Sequence, residues 1–100
     1  MGTPVVILFT QVGCVDSGRV RRLLREHGVA FGERDASRDA EAAVALAQTG
    51  IFGTPLLVVA NRMVFGFRPA AILAALTDAG VPVGVGRVAS PASDDGATAR

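Results

Sequence analysis

The sequence predicts a mixed α/β sheet with helices on both faces, its elements in the order β-α-β-α-β-β-α. Three observations carry that prediction. Pro4 to Phe9, PVVILF, is a short continuous apolar run rich in β-branched residues, the pattern of a strand buried on both faces. A helical stripe follows it directly, so the strand feeds a crossover helix, which implies a parallel partner strand. Further on, two short apolar runs are separated only by Asn61 and Arg62, the spacing of a hairpin, which adds an antiparallel edge.

After the first strand, TQVGCVD turns the chain. Val20, Leu23, Leu24 and His27 then recur at i, i+3, i+4 and i+7, one face of a helix, with Arg19, Arg21, Arg22, Arg25 and Glu26 on the other. Gly28 stands where a left-handed cap belongs. Val29 to Ala36 alternates loosely and reads as the second strand. Ser37 is a suitable N-cap for an alanine-rich helix running to Gln48, with Asp39 and Glu41 in its first turn, where acids favour the dipole. Leu56 to Ala60 is the third strand and Met63 to Phe67 the fourth. Pro69 suits the first turn of a helix lined by Ile72, Leu73 and Leu76 and stopped by Gly80. From Val81 onward the chain has no period and is rich in Gly, Ala, Ser, Pro and Asp. Residues 1–80 are therefore expected to form one domain and 81–100 a flexible tail.

Composition excludes several functions. The formal net charge of +1 is no footprint for nucleic acid or an anionic membrane. No apolar run is long enough to span a bilayer, and the first has no basic segment before it, so a cytoplasmic protein is expected. All ten basic residues are Arg, which we read as coding bias. The single cysteine rules out an internal disulfide, in keeping with a reducing compartment. One Cys and one His make no zinc pattern, and no phosphate loop, carboxylate pair or serine triad is present.

That leaves Cys14. It falls at the start of the first helix, at the carboxyl end of the first strand, where open α/β sheets place their sites. Unpaired backbone N–H groups and the helix dipole stabilise a thiolate there and make it a better nucleophile. Gly13 leaves room for a substrate, and Asp16 opposes the thiolate. The alternative is a small residue that merely ends a helix. A second feature is Gly53-Thr54-Pro55 before the third strand, where a cis peptide is a possibility and would leave the Thr54 backbone free to bond an extended substrate. His27 is more than three turns along the helix and cannot serve Cys14 as a base; the last helical carbonyls are its expected partners. Of Phe65 and Phe67, at least one belongs to the core.

Over about residues 4 to 79 the chain resembles the glutaredoxin-like proteins of thioredoxin fold. Three pieces carry the likeness: TQVGCVDS, GTP and FGFRP. The last two are most similar to the NrdH redoxins, which have a Cys-Val-X-Cys site and a Gly-Phe-Arg-Pro segment. The resemblance implies Cys14 as nucleophile in an active-site loop of Gln11, Gly13, Val15, Asp16 and Ser17. It implies Thr54 and Pro55 as the substrate loop, with Gly66, Phe67 and Arg68 as a nearby patch. Ser17 stands where the resolving cysteine would be, as in monothiol glutaredoxins, and can donate to the Cys14 thiolate or cap the helix. Gln11 stands where many glutaredoxins carry the basic residue that helps hold glutathione.

The function so implied is monothiol disulfide exchange on disulfides or low-molecular-weight thiol adducts. No permanently bound cofactor is expected, with glutathione or another small thiol as cosubstrate. Expected partners are a disulfide-bearing protein or small thiol adduct, with a reductase as a further candidate, and the chain is expected to be monomeric. The alternative is a non-catalytic module of the same fold, one that docks a partner or shares an iron–sulfur cluster between two subunits through Cys14 and glutathione.

Overall fold

The structure, a computed structural model, describes residues 4–84. Its elements are β1 (Val6–Thr10), α1 (Val15–Glu26), β2 (Gly32–Asp35), α2 (Ala40–Gln48), β3 (Leu56–Val59), β4 (Arg62–Phe65) and α3 (Pro69–Asp78). The strands form one sheet in the order β2-β1-β3-β4. β1 runs parallel to β2, Thr10 opposite Asp35, and antiparallel to β3, Leu8 opposite Leu57. β3 and β4 form the hairpin, Leu56 opposite Phe65.

Alternation along the strands divides the core between two faces. Val6, Leu8, Leu57, Val59 and Val64 pack with Val20 and Leu24 of α1 and Ile72, Ala75 and Leu76 of α3. Phe9 and Leu56 point the other way, onto Ala42 and Leu46 of α2. The central strands β1 and β3 are therefore covered on both sides, which explains their unbroken apolar runs.

Four expectations need correction. Val29 does not open β2: it is buried in the larger core, and its N–H closes α1 on the Leu24 carbonyl at 2.9 Å. The N-cap of α2 is Asp39, which accepts from the N–H groups of Glu41 and Ala42; Ser37 lies in the preceding turn. β4 starts at Arg62, because Ala60 and Asn61 make the turn, with Ala60 at φ 54, and it ends at Phe65, because Gly66 at φ 86 bends the chain away. That glycine breaks the alternation, so Phe65 stays exposed while Phe67 packs against the larger core. His27 bonds not to helical carbonyls but, through Nδ1, to the Gly84 carbonyl at 2.7 Å.

Contacts reach a little beyond residue 80. Val81 is buried with its N–H on the Leu76 carbonyl, and the Gly84 N–H returns to the His27 carbonyl at 2.7 Å. The folded part thus continues past residue 80 to Gly84, and the rest of the expected tail, 85–100, lies outside the described residues.

Candidate functional site

The chain leaves β1 through a tight turn in which the Cys14 N–H donates to the Gln11 carbonyl at 3.2 Å. Gly13, third residue of that turn, has φ 81, the value a type II turn demands and glycine supplies without strain. A Cβ there would meet nothing within 4 Å, so backbone conformation accounts for this glycine, and the open space in front of it remains.

Cys14 is the N-cap of α1, extended at φ −84 and ψ 108, and no side chain caps that end. The first N–H groups of the helix and the positive end of its dipole are left for whatever occupies the cap position, here a sulfur. The turn is anchored from both sides. The Val12 N–H donates to Ser37 Oγ at 3.1 Å, and the Ser37 hydroxyl is itself held by Asp35. On the opposite side the Thr54 hydroxyl donates to Gln11 Oε1 at 3.2 Å.

Thr54 and Pro55 are joined by a cis peptide bond, and Pro55 is fully buried. The Cys14 thiol donates to the Thr54 carbonyl at 3.6 Å. The Gly66 N–H donates to the Pro55 carbonyl at 2.8 Å. The structure thus brings Gln11, Cys14, Thr54 and Pro55 together, with Gly66 behind the proline. Phe67 turns into the core. Arg68 is the exposed N-cap residue of α3, two residues beyond Gly66.

Cys14 itself is half-buried. Ser17, one turn along α1, is 1% exposed, and its Oγ has no partner among the described residues. A buried hydroxyl without a partner is rare and costly. Partial burial pushes the Cys14 thiol up, but the Ser17 and Thr54 hydroxyls and the Ser17 and Asp16 backbone N–H groups, placed to bond the thiolate once it forms, outweigh it, and the thiol lies below its ordinary value. Thr54 already gives its hydroxyl to Gln11. Of the two, Ser17 is the hydroxyl with no other acceptor among the described residues.

Asp16 in the first turn is paired with Arg19 at 3.2 Å, which blunts its repulsion of the sulfur. Four exposed apolar side chains lie on or beside the cysteine turn, the proline loop and the end of β4. Val12 (62%) and Val15 (70%) flank Cys14 in the chain, and Phe52 (82%) precedes the proline loop. Phe65 (50%) lies over Gly53, where an added Cβ would come within 2.7 Å of its ring. Beneath the site, Thr10 donates to Glu33, and Glu33 takes both arms of Arg21, at 2.7 and 2.6 Å.

Sequence reasoning missed the Ser37 and Asp35 anchor, the Thr10–Glu33–Arg21 network and Phe52. Only Phe52 left a signal, a large aromatic residue beside a turn glycine. Among the described residues no group of three or more His, Cys, Asp or Glu could hold a metal ion, and no helix is long and apolar enough to cross a membrane.

The comparisons agree with this geometry. The thioredoxin-like protein BC3987 is 28% identical with a TM-score of 0.68, over 71% of this chain and 99% of that one. The glutaredoxin-like NrdH-redoxin from Escherichia coli, whose activity profile is described as thioredoxin-like, is 28% identical with a TM-score of 0.64, over 69% and 91%. A buckwheat glutaredoxin solved with glutathione is 18% identical with a TM-score of 0.60, over 77% and 80%, and speaks for the fold alone. Among curated proteins none matches. The fold is the thioredoxin-like fold of glutaredoxins, and family and fold support a redox oxidoreductase. With the Glutaredoxin family profile matching residues 6–64, more than half of its length, the chain belongs to the glutaredoxin family.

Proposed function

We propose that this protein is a monothiol thiol–disulfide oxidoreductase with Cys14 as its nucleophile. The observation that carries this reading is the uncapped start of α1, where the sulfur faces the open backbone N–H groups and a buried Ser17 hydroxyl with no partner among the described residues. In the first step the Cys14 thiolate attacks one sulfur of a disulfide. The new S–S bond forms as the old one breaks, and the departing thiolate takes a proton from solvent. Cys14 is oxidised and the departing sulfur reduced. Position 17 offers a hydroxyl, which cannot displace sulfur, so a second, external thiol restores Cys14. Glutathione or another small thiol from solution fills that role.

Thr54 and Pro55 align the substrate, with Gln11, Gly13, Val15 and Asp16 shaping the loop and Gly66, Phe67 and Arg68 supporting it. Clients are disulfide-bearing proteins or small thiol adducts met in the cytoplasm, by a monomer.

The test is alkylation of Cys14 across pH together with reduction of a model mixed disulfide. A midpoint below about 8.5, the free-thiol figure, with exchange that Cys14→Ser abolishes, is the expected result. A midpoint at that figure and no exchange would instead leave a non-catalytic docking module.

A further inference from the structure

β1 and β2 run side by side as far as Thr10 and Asp35, and just beyond them the Ala36 N–H donates to the Thr10 carbonyl at 2.9 Å. Past that point both chains turn away. The N–H groups of Arg38 and Asp39 return to the Asp35 carbonyl at 3.1 and 3.0 Å, which closes the β2–α2 turn on itself. On the other strand the chain enters the turn that carries the sulfur. A bond still crosses between the two turns: the Val12 N–H donates to Ser37 Oγ at 3.1 Å, across 25 residues of sequence. The hydroxyl oxygen stands in for the backbone carbonyl that a longer β2 would have supplied.

Ser37 is itself aimed. Its N–H donates to Asp35 Oδ1 at 2.9 Å and its hydroxyl donates to the same oxygen, so the proton of Oγ is spent and a lone pair is left for Val12. The Ser37 hydroxyl first, then the Ser37 N–H and Arg38, hold the Asp35 carboxyl below the usual carboxylate range, so this acceptor is charged wherever a thiolate forms. Ser37 and Val12 are both exposed and lie outside the two cores. What their bond fixes is the place of the cysteine turn, from the flank opposite Thr54.

We infer that Ser37, aimed by Asp35, is a positioning residue for the reaction of Cys14: its hydroxyl prolongs the β1–β2 ladder by one rung into the cysteine turn and holds the sulfur in line for attack on a disulfide beside the proline loop. The inference rests on the reading of Cys14 as the attacking thiol. Displacement at sulfur needs the attacking, central and departing atoms near one line, so it is sensitive to where the nucleophile sits. Alkylation by a small reagent that approaches freely is not.

The test compares Ser37→Thr with Ser37→Val, two side chains of the same shape that differ in the hydroxyl. The readings are hydrogen exchange at the Val12 amide, alkylation of Cys14 across pH, and exchange with a model mixed disulfide. Ser37→Thr should match the parent. In Ser37→Val the Val12 amide should exchange at least about tenfold faster. Alkylation should keep its rate and midpoint, while disulfide exchange relative to alkylation should fall about three- to tenfold. Three results would overturn the inference and spare Cys14 as nucleophile: a ratio unmoved in Ser37→Val, a ratio lowered equally in both variants, or an unprotected Val12 amide in the parent. Disulfide exchange that falls only in step with alkylation leaves the ratio unmoved and counts with the first. Failure of the parent chain to exchange, despite normal alkylation, would overturn both readings.

Discussion

The two ends of α1 are built on opposite rules. At its C-terminal end most of the loose carbonyls are tied. The N–H groups of His27, Gly28 and Val29 return to the carbonyls of Leu23, Arg25 and Leu24, Gly28 takes φ 67, and Gly84 closes over His27 with two hydrogen bonds. At its N-terminal end no side chain among the described residues caps the helix, although α2 shows what this chain does when a cap is wanted: Asp39 reaches the N–H groups of Glu41 and Ala42. The difference teaches where stability was given up. An open helix start with a buried, unpartnered hydroxyl beside it is poor architecture unless an anion is meant to form there.

Replacing the sulfur should break the contrast most completely. Cys14→Ser puts a good capping residue at the open end, so disulfide exchange should fall to background while thermal unfolding shows a gain of up to about 1 kcal/mol. A variant no more stable than the parent would mean the open end carries no cost.

Next in size is Ser17→Ala. The thiolate is the reactive form, and Ser17 lowers the Cys14 pKa, so reactivity survives down to a lower pH than for a free thiol and fades as pH drops through that value. Without the hydroxyl the midpoint of alkylation should move upward and the rate near pH 7 should drop about fivefold. Stability should rise by about 1 kcal/mol as an unsatisfied buried group disappears. An unmoved pH profile would remove Ser17 from the site.

Changes at capped ends should do the reverse. Asp39→Ala in α2 should cost about 1 kcal/mol in denaturant unfolding and leave the alkylation profile alone. Gly28→Ala, forced to φ 67, should cost about 1 kcal/mol and likewise spare the thiol. If either slowed alkylation at neutral pH, the ends would be coupled and the contrast would lose its point.

The smallest effect concerns the support beneath the site. Bonding to Arg21, against a smaller opposing push from partial burial, holds the Glu33 carboxyl below the usual range, with Thr10 helping. A lowered carboxyl stabilises the fold above its unfolded pKa and loses that contribution as pH falls through the folded one. Glu33→Gln should therefore flatten the acid limb of stability below about pH 4.3. The pair is partly exposed, which keeps the change within about 1 kcal/mol.

How much of this could be read from residues alone follows the range of the interactions. The sequence of strands and helices was legible because PVVILF and LLVVA are covered on both faces and the stripe Val20, Leu23, Leu24 keeps helical spacing. The cap of α2 was not, because Ser37 and Asp39 are both good capping residues and only the three-dimensional path decides which one meets the free N–H groups. Val29 looked like strand because a buried β-branched residue closing a helix has the same composition as one opening a sheet. Within the site, the position of Cys14 was local and readable. The bonds from Thr54 to Gln11 and from Val12 to Ser37 span 43 and 25 residues, and neither side chain names its partner.

Strand order has one more consequence, for behaviour in crowded solution. The rims of the sheet are β2 and β4. The first carries Glu33, Arg34 and Asp35, charges that discourage a neighbouring molecule from adding a strand; the second carries Arg62 and then Met63, Val64 and Phe65. Stacking of one chain on another is thus directed to the β4 rim, which continues through Gly66 into the turn behind Pro55. A chain added on that rim would meet Phe65, whose ring lies over Gly53 of the proline loop, before it met anything of α1.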